Sequence, residues 1–377
     1  MSDKATKLRV MCRGTHELFL DLFERCASGN AQAVYSEDKP DVIEIQTPRT
    51  RPRDFGLERY KMYRSVTLMR LRYGFKPVLT AIPYENTPLS EFELDFGLSS
   101  FEPTTDDHLH YNWNFSTPVG RALLDPNGAD ALIWRAYRDK PKSKFCNYVF
   151  SDDWNPQTSS RRDFCGALSR YKRVDCAGKS LNNTAALFKL DAQFGSRWRA
   201  KLAFISDYKF TIAFENESAD GYLSEKLLTA LAVGSVPIYW GCPQAGEYIN
   251  PRSFINAHDY DSFEALVAHV KRVDADPDLY QKYRDAPPLL PASRFYDMRR
   301  DLPAFLERVA AEALRRRDAP SEDGFLKWRR HYRVGKIIYA HRRLEWRYKQ
   351  RRAADLRRLV KQTLRRFVKP RRRLKAL

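Results

Sequence analysis

The stretch from Tyr208 to Leu228 concentrates residues able to handle an anion. The apolar run Tyr208–Phe214 empties into a polar, glycine-containing loop, and a helical pattern follows with Ser224 or Asp220 as its cap. Leu227, Leu228, Leu231 and Ala232 mark the buried face of that helix, and Gly234 with Pro237 ends it. Lys226 falls in the first turn, where exposed N–H groups already attract negative charge, so a lysine suits that place when an anion is bound there too. The residues alone allow two readings, a phosphate site or a solvated surface lysine. Glu85 is a second chemical candidate, placed in the loop Pro83–Pro88 just beyond the carboxyl end of an expected strand, Lys76–Ile82. A carboxylate at that point can accept a proton, in competition with Glu91, Glu93 and Asp95. His108 and His110, beside Asp106 and Asp107, offer metal-ligand types without a second ligand set, and an acceptor-side or structural role is expected of them.

Parallel α/β units are the elements that must position these groups. Short apolar runs at Leu8–Cys12, Pro40–Ile45 and Lys76–Ile82 alternate with helical patterns, one of them through Glu17–Cys26. After a loop-rich stretch near residues 100 to 125 the rhythm restarts at Phe145–Phe150 and continues through Tyr208–Phe214, Val236–Trp240 and Ser253–Ala257. Two successive Rossmann-like units are expected, with a boundary near residue 140 and the ligand in the crevice between them. A helix from about Arg294 to Leu314 is expected to close the second unit.

The chain has 377 residues, enough for two to three domains with sizeable cores. Its 43% hydrophobic and 30% charged residues fit a globular protein rather than a disordered one. Six scattered cysteines show no Cys-x-x-Cys, so neither a zinc site nor a disulfide framework is expected. No divalent metal or other cofactor is implied. The polar start Met1–Lys7 has no apolar run behind it, and a cytoplasmic location is expected. Of the net charge of +19, almost all belongs to residues 321–377, which hold 21 Lys and Arg against 4 Asp and Glu.

The run FENESADGYLSEK, residues 214–226, followed by Val236–Gly241 and Asn250–Asn256, resembles the donor-binding core of the α-1,3-fucosyltransferases, particularly the bacterial ones. The likeness is strong over residues 145 to 290, with the N-terminal third similar in the order of its elements. It implies a GT-B architecture, a GDP-fucose donor and inversion at the anomeric carbon. In that pattern Lys226 lies on the diphosphate, Glu225 near the fucose and ribose hydroxyls, and Asn216 and Tyr222 along the nucleotide. The segment Ser159–Phe164 resembles the one whose arginine also holds the diphosphate, which makes Arg161 the match and Arg162 the fallback. The pair Glu85–Asn86 resembles the one supplying the general base, although Tyr84 stands where a glycine is usual. The expected reaction moves fucose to an acceptor oligosaccharide or lipid-linked glycan, with O3 of GlcNAc in N-acetyllactosamine-type ends of surface polysaccharide as the family's suggestion. A transferase of the same architecture with another nucleotide sugar is the alternative.

The expected domains are thus 1–140 on the acceptor side, 141–319 for the donor, and a tail over 320–377. Between Ala354 and Lys369, leucines, valines and Phe367 recur at helical spacing opposite arginines and lysines. Such a basic amphipathic helix suits peripheral attachment to an anionic membrane through residues 350–377. A nucleic-acid-binding role would call for a basic body as well, and the body is nearly neutral, so no nucleic-acid partner is expected.

Overall fold

The computed structural model describes residues 6–12, 31–46, 77–82, 94–100, 104–151 and 156–318, with Leu20, Leu22–Glu24, Ser65–Val66, Leu68–Met69, Arg72–Tyr73 and Leu89 between them. Among the described residues eleven strands form two sheets, parallel at every recorded pairing. The first contains β1 (Thr6–Cys12), β2 (Ala31–Tyr35), β3 (Val42–Gln46), β4 (Val78–Ile82), β5 (Phe96–Ser99) and β6 (His108–His110), in the order β2-β1-β3-β4-β5-β6. The second contains β7 (Lys144–Tyr148), β8 (Val174–Cys176), β9 (Tyr208–Phe214), β10 (Val236–Trp240) and β11 (Ile255–Asn256), in the order β11-β10-β9-β7-β8. This is the expected α/β class with two doubly wound units. The structure adds β2, β5, β6 and β8, and it places β6 and a helix in the stretch read as loop-rich.

Strand residues alternate between faces, and both faces are apolar, as covered parallel sheets require. Along β4, Val78 and Ile82 join the main core while Leu79 and Ala81 join a smaller one with Met11, Ile43 and Ile45. Along β9, Ala213 joins the main core while Phe210, Ile212 and Phe214 join the core on the other face of the second sheet.

Helices α1 (Pro118–Leu124) and α2 (Ala129–Arg138) link the sheets. The second sheet is wrapped by α3 (Pro156–Ser169), α4 (Ala186–Phe194), α5 (Arg197–Ile205), α6 (Glu225–Ala232), α7 (Ala245–Tyr248), α8 (Phe263–Ala275) and α9 (Pro277–Asp285). The last helix, α10 (Arg294–Asp318), returns to the first sheet instead of closing only the second. Its Phe305 meets Phe96 edge-on with ring centres 5.7 Å apart, and Arg316 pairs with Asp95 at 3.0 Å. The apolar row of α10 thereby makes one continuous core out of both units.

The linker between the units is fixed by Lys142. Its Nζ donates to the carbonyls of Tyr137, Ser206 and Val233 at 2.9, 2.8 and 2.7 Å, each at the C-terminal end of a helix: α2, α5 and α6. Burial pulls this amine down to about 7, with Arg284 and Lys140 adding to the effect. Three acceptors nevertheless need three N–H donors, which only the protonated amine has, and helix C-termini favour a cation. Lys142→Met is expected to leave three carbonyls short of a donor and to lower unfolding stability by about 3 kcal/mol. A denaturant midpoint unchanged from the parent would contradict that role.

Candidate functional site

In the second sheet β7 and β9 are neighbours whose connections leave in opposite directions, through α3 to β8 and through α6 to β10. Chain order reverses there, and open α/β sheets bind ligands beyond the carboxyl ends of such a strand pair. Arg161 lies on α3, and Glu215 to Lys226 span the turn from β9 into α6.

Ser224 is the N-cap of α6, its Oγ accepting the Lys226 N–H at 3.3 Å. Behind it stands Glu215, fully buried at the end of β9. The Glu215 carboxylate accepts the Ser224 N–H and hydroxyl, both at 2.7 Å, and the Lys226 ammonium at 3.0 Å. Lys226 also donates to Ser224 Oγ at 2.9 Å. A cation at a helix N-terminus is on the repulsive end of the dipole, and Glu215 supplies the counter-charge. Gly241 makes room for it, since a Cβ there would lie 2.4 Å from Glu215 Cγ.

Arg161 is 2% exposed. Its guanidinium lies 4.5 Å from the centre of the Phe150 ring and donates to Asn216 Oδ1 at 2.6 Å. Both cationic side chains are thus tied to adjacent residues, Glu215 and Asn216, at one strand end. Arg162, the fallback, is exposed at the next helical position. Glu225 occupies the first turn of α6, partly open to solvent. Burial works to raise its carboxyl, but Lys226, Lys201, its own N–H and Ser224 outweigh that and hold it at about 2. An ionised carboxylate repels phosphate and accepts from hydroxyls, which suits sugar recognition.

The loop between Glu215 and Ser224 is held from both units. Tyr239 Oη donates to the Tyr222 carbonyl at 3.3 Å, and the Gly221 N–H reaches Cys242 Sγ at 3.2 Å. From the first unit Asn112 donates to the carbonyls of Gly221 and Leu223 at 3.4 and 2.9 Å, and Asn114 to Leu223 at 3.1 Å. Gly221 has φ +71°, and a Cβ would lie 1.7 Å from the Ser100 carbonyl, so only glycine fits this inter-unit contact. Tyr222, 5% exposed, is buried within the same loop.

The structure therefore brings Arg161, Asn216, Tyr222, Glu225 and Lys226 to one loop and its flanks. Glu85, Glu91, Glu93 and the tail over 320–377 lie outside the described residues. Asp95, a competing carboxylate, accepts the Leu79 N–H at 2.7 Å and pairs with Arg316, at the amino ends of β4 and β5 and away from the ligand-binding ends. His110 Nε2 bonds Tyr248 Oη at 3.0 Å across the units. No group of three His, Cys, Asp or Glu able to hold a metal occurs among the described residues. Sequence reasoning missed Glu215, Asn112 and Asn114. An acidic residue directly after a seven-residue apolar strand was the available signal for Glu215.

Two parallel α/β sheets joined by a returning C-terminal helix define a GT-B fold. A crystal structure of an α-1,3-fucosyltransferase with GDP-fucose superposes with a TM-score of 0.59 at 20% identity, covering 82% of this chain and 92% of that one. Residues 139–286 match the family model for glycosyltransferase family 10 (fucosyltransferase), C-terminal part. An α-(1,3)-fucosyltransferase of Helicobacter pylori is 33% identical over 142 residues, 38% of this chain and 27% of the relative. Human GDP-fucose protein O-fucosyltransferase 3 is 31% identical over 209 residues, 55% of this chain and 40% of the relative. The chain thus spans well under half the length of these curated relatives.

Proposed function

We propose that this chain is an inverting glycosyltransferase that moves L-fucose from GDP-fucose to a hydroxyl of an acceptor glycan. The observation that carries the reading is the network at the β7/β9 switch point, where Arg161 and Lys226 are anchored on Asn216 and Glu215 beside a helix N-terminus. A guanidinium can hold two phosphate oxygens together, and with an ammonium beside it a leaving diphosphate gains charge stabilisation from the protein itself. Glu225 would take the fucose and ribose hydroxyls, with Asn216 and Tyr222 along the nucleotide.

Glu85 would remove the proton from the acceptor hydroxyl as that oxygen attacks C1 of fucose from the face opposite GDP. The bond from C1 to the β-phosphate oxygen breaks, and the pair of electrons settles on GDP under Arg161 and Lys226. On this reading residues 1–140 face the acceptor, 141–319 hold the donor, and the basic tail over 320–377 attaches the enzyme to the cytoplasmic face of a membrane. The acceptor proposed is O3 of GlcNAc in N-acetyllactosamine-type ends of surface polysaccharide. The name of the human relative points to a second reading, with a protein hydroxyl as acceptor.

Arg161→Ala and Lys226→Ala are each expected to weaken GDP binding about 10- to 100-fold, the worth of one charge-assisted contact of ~1.5–3 kcal/mol. Titration calorimetry with GDP checks this, and unchanged affinity in both variants would remove the site assignment.

A further inference from the structure

The helices α4 and α5 form a hairpin between β8 and β9, turned by Gly195 at φ +59° and by Ser196, whose Oγ caps α5. Only Leu187 of α4 is buried. Phe188 stands 73% exposed, with Trp198 at 43%, Phe194 at 38% and, just before the hairpin, Leu181 at 41%. Of the nine large apolar side chains exposed among the described residues, four fall within these eighteen positions, and that clustering marks the hairpin. Lys179, Lys189, Arg197 and Arg199 are exposed among these aromatics. The acidic residue in the hairpin, Asp191, is half-buried and pairs with Arg197 at 3.5 Å.

We propose that this aromatic and cationic hairpin docks on an anionic lipid surface. Within the hairpin Lys189, Arg197 and Arg199 are exposed against a single acidic residue that is already paired, so the surface complementary to it is anionic. The mixture of cations and exposed rings fits the headgroup region of a bilayer, where Phe and Trp enter the acyl boundary and Lys and Arg reach lipid phosphates. No helix among the described residues is long and apolar enough to cross a membrane, and the contact proposed lies along the surface. The hairpin is also close to the donor site, since Lys201 of α5 pairs with Glu225 of α6 at 3.5 Å. A lipid-docked hairpin would thus hold the donor recess next to the bilayer, where lipid-linked acceptors are found. The docking proposal stands independently of the donor chosen and of the basic tail.

Hydrogen exchange of the full chain with phosphatidylglycerol-containing vesicles reads this surface separately from the tail. Expected are slowed exchange in peptides covering residues 186–199, no such protection with phosphatidylcholine alone, and loss of most of that protection in high salt. Phe188→Ser and Lys189→Glu with Arg199→Glu alter only exposed side chains. The first should reduce this local protection on the order of tenfold in the lipid concentration needed, with GDP affinity unchanged. Vesicle binding with no protection over 186–199 would overturn the proposal, leaving the tail as the attachment. Protection of the same peptides by soluble acceptor oligosaccharide or by raised protein concentration without lipid would also overturn it, in favour of a glycan or a second copy of the chain.

Discussion

Glu85→Gln should keep GDP-fucose affinity near that of the parent and lose roughly 10²- to 10⁴-fold in turnover, because an amide cannot accept the acceptor's proton at neutral pH. The separation of the two readouts is the informative part. A residue that merely shaped the loop would change acceptor KM and leave the pH profile alone. Loss of the base should instead remove the acidic limb from the dependence of kcat on pH. Near-normal turnover would transfer the role to Glu91 or Glu93, since Asp95 is committed to the Leu79 N–H and Arg316 at the opposite end of the sheet.

Glu215→Gln should have its largest effect on the unliganded protein. The amide keeps the volume and an acceptor for the Ser224 N–H, but the Lys226 ammonium is left at the positive end of α6 without a counter-charge. Breaking a buried ion pair from one side costs about 3–5 kcal/mol, so a large fall in Tm is expected. GDP then brings the missing negative charge, and the Tm rise on adding saturating GDP should be greater in the variant than in the parent. Equal Tm values without ligand would show that Glu215 is not what holds Lys226.

Much of this site could be read from residue order alone because it is built on local grammar. A strand, a polar loop, a capping serine and a helix with one apolar face are all short-range features, and the family likeness of residues 214–226 coincides with them. What escaped was set by the fold. The strands β6 and β8 have three residues each, too few to show alternation, and β6 presents two histidines that look like loop residues. Asn112 and Asn114 act on carbonyls more than a hundred residues away, and no spacing announces such a contact. The first-turn lysine suggested an external anion, yet its immediate counter-charge proved to be internal, in Glu215. The amphipathic row of α10 was legible, but which sheet it would cover was not, since either sheet offers an apolar face.

The central claim is that the paired-cation site serves GDP-fucose. Incubating the pure full-length protein with GDP-fucose, GDP-mannose, UDP-galactose and UDP-N-acetylglucosamine, with and without an N-acetyllactosamine acceptor, and following nucleoside diphosphate release measures it directly. The account predicts GDP release from GDP-fucose alone, accelerated by acceptor and yielding an α-linked product from the β-linked donor. Preferential turnover of any other nucleotide sugar, or a product that keeps the donor's anomeric configuration, would contradict it.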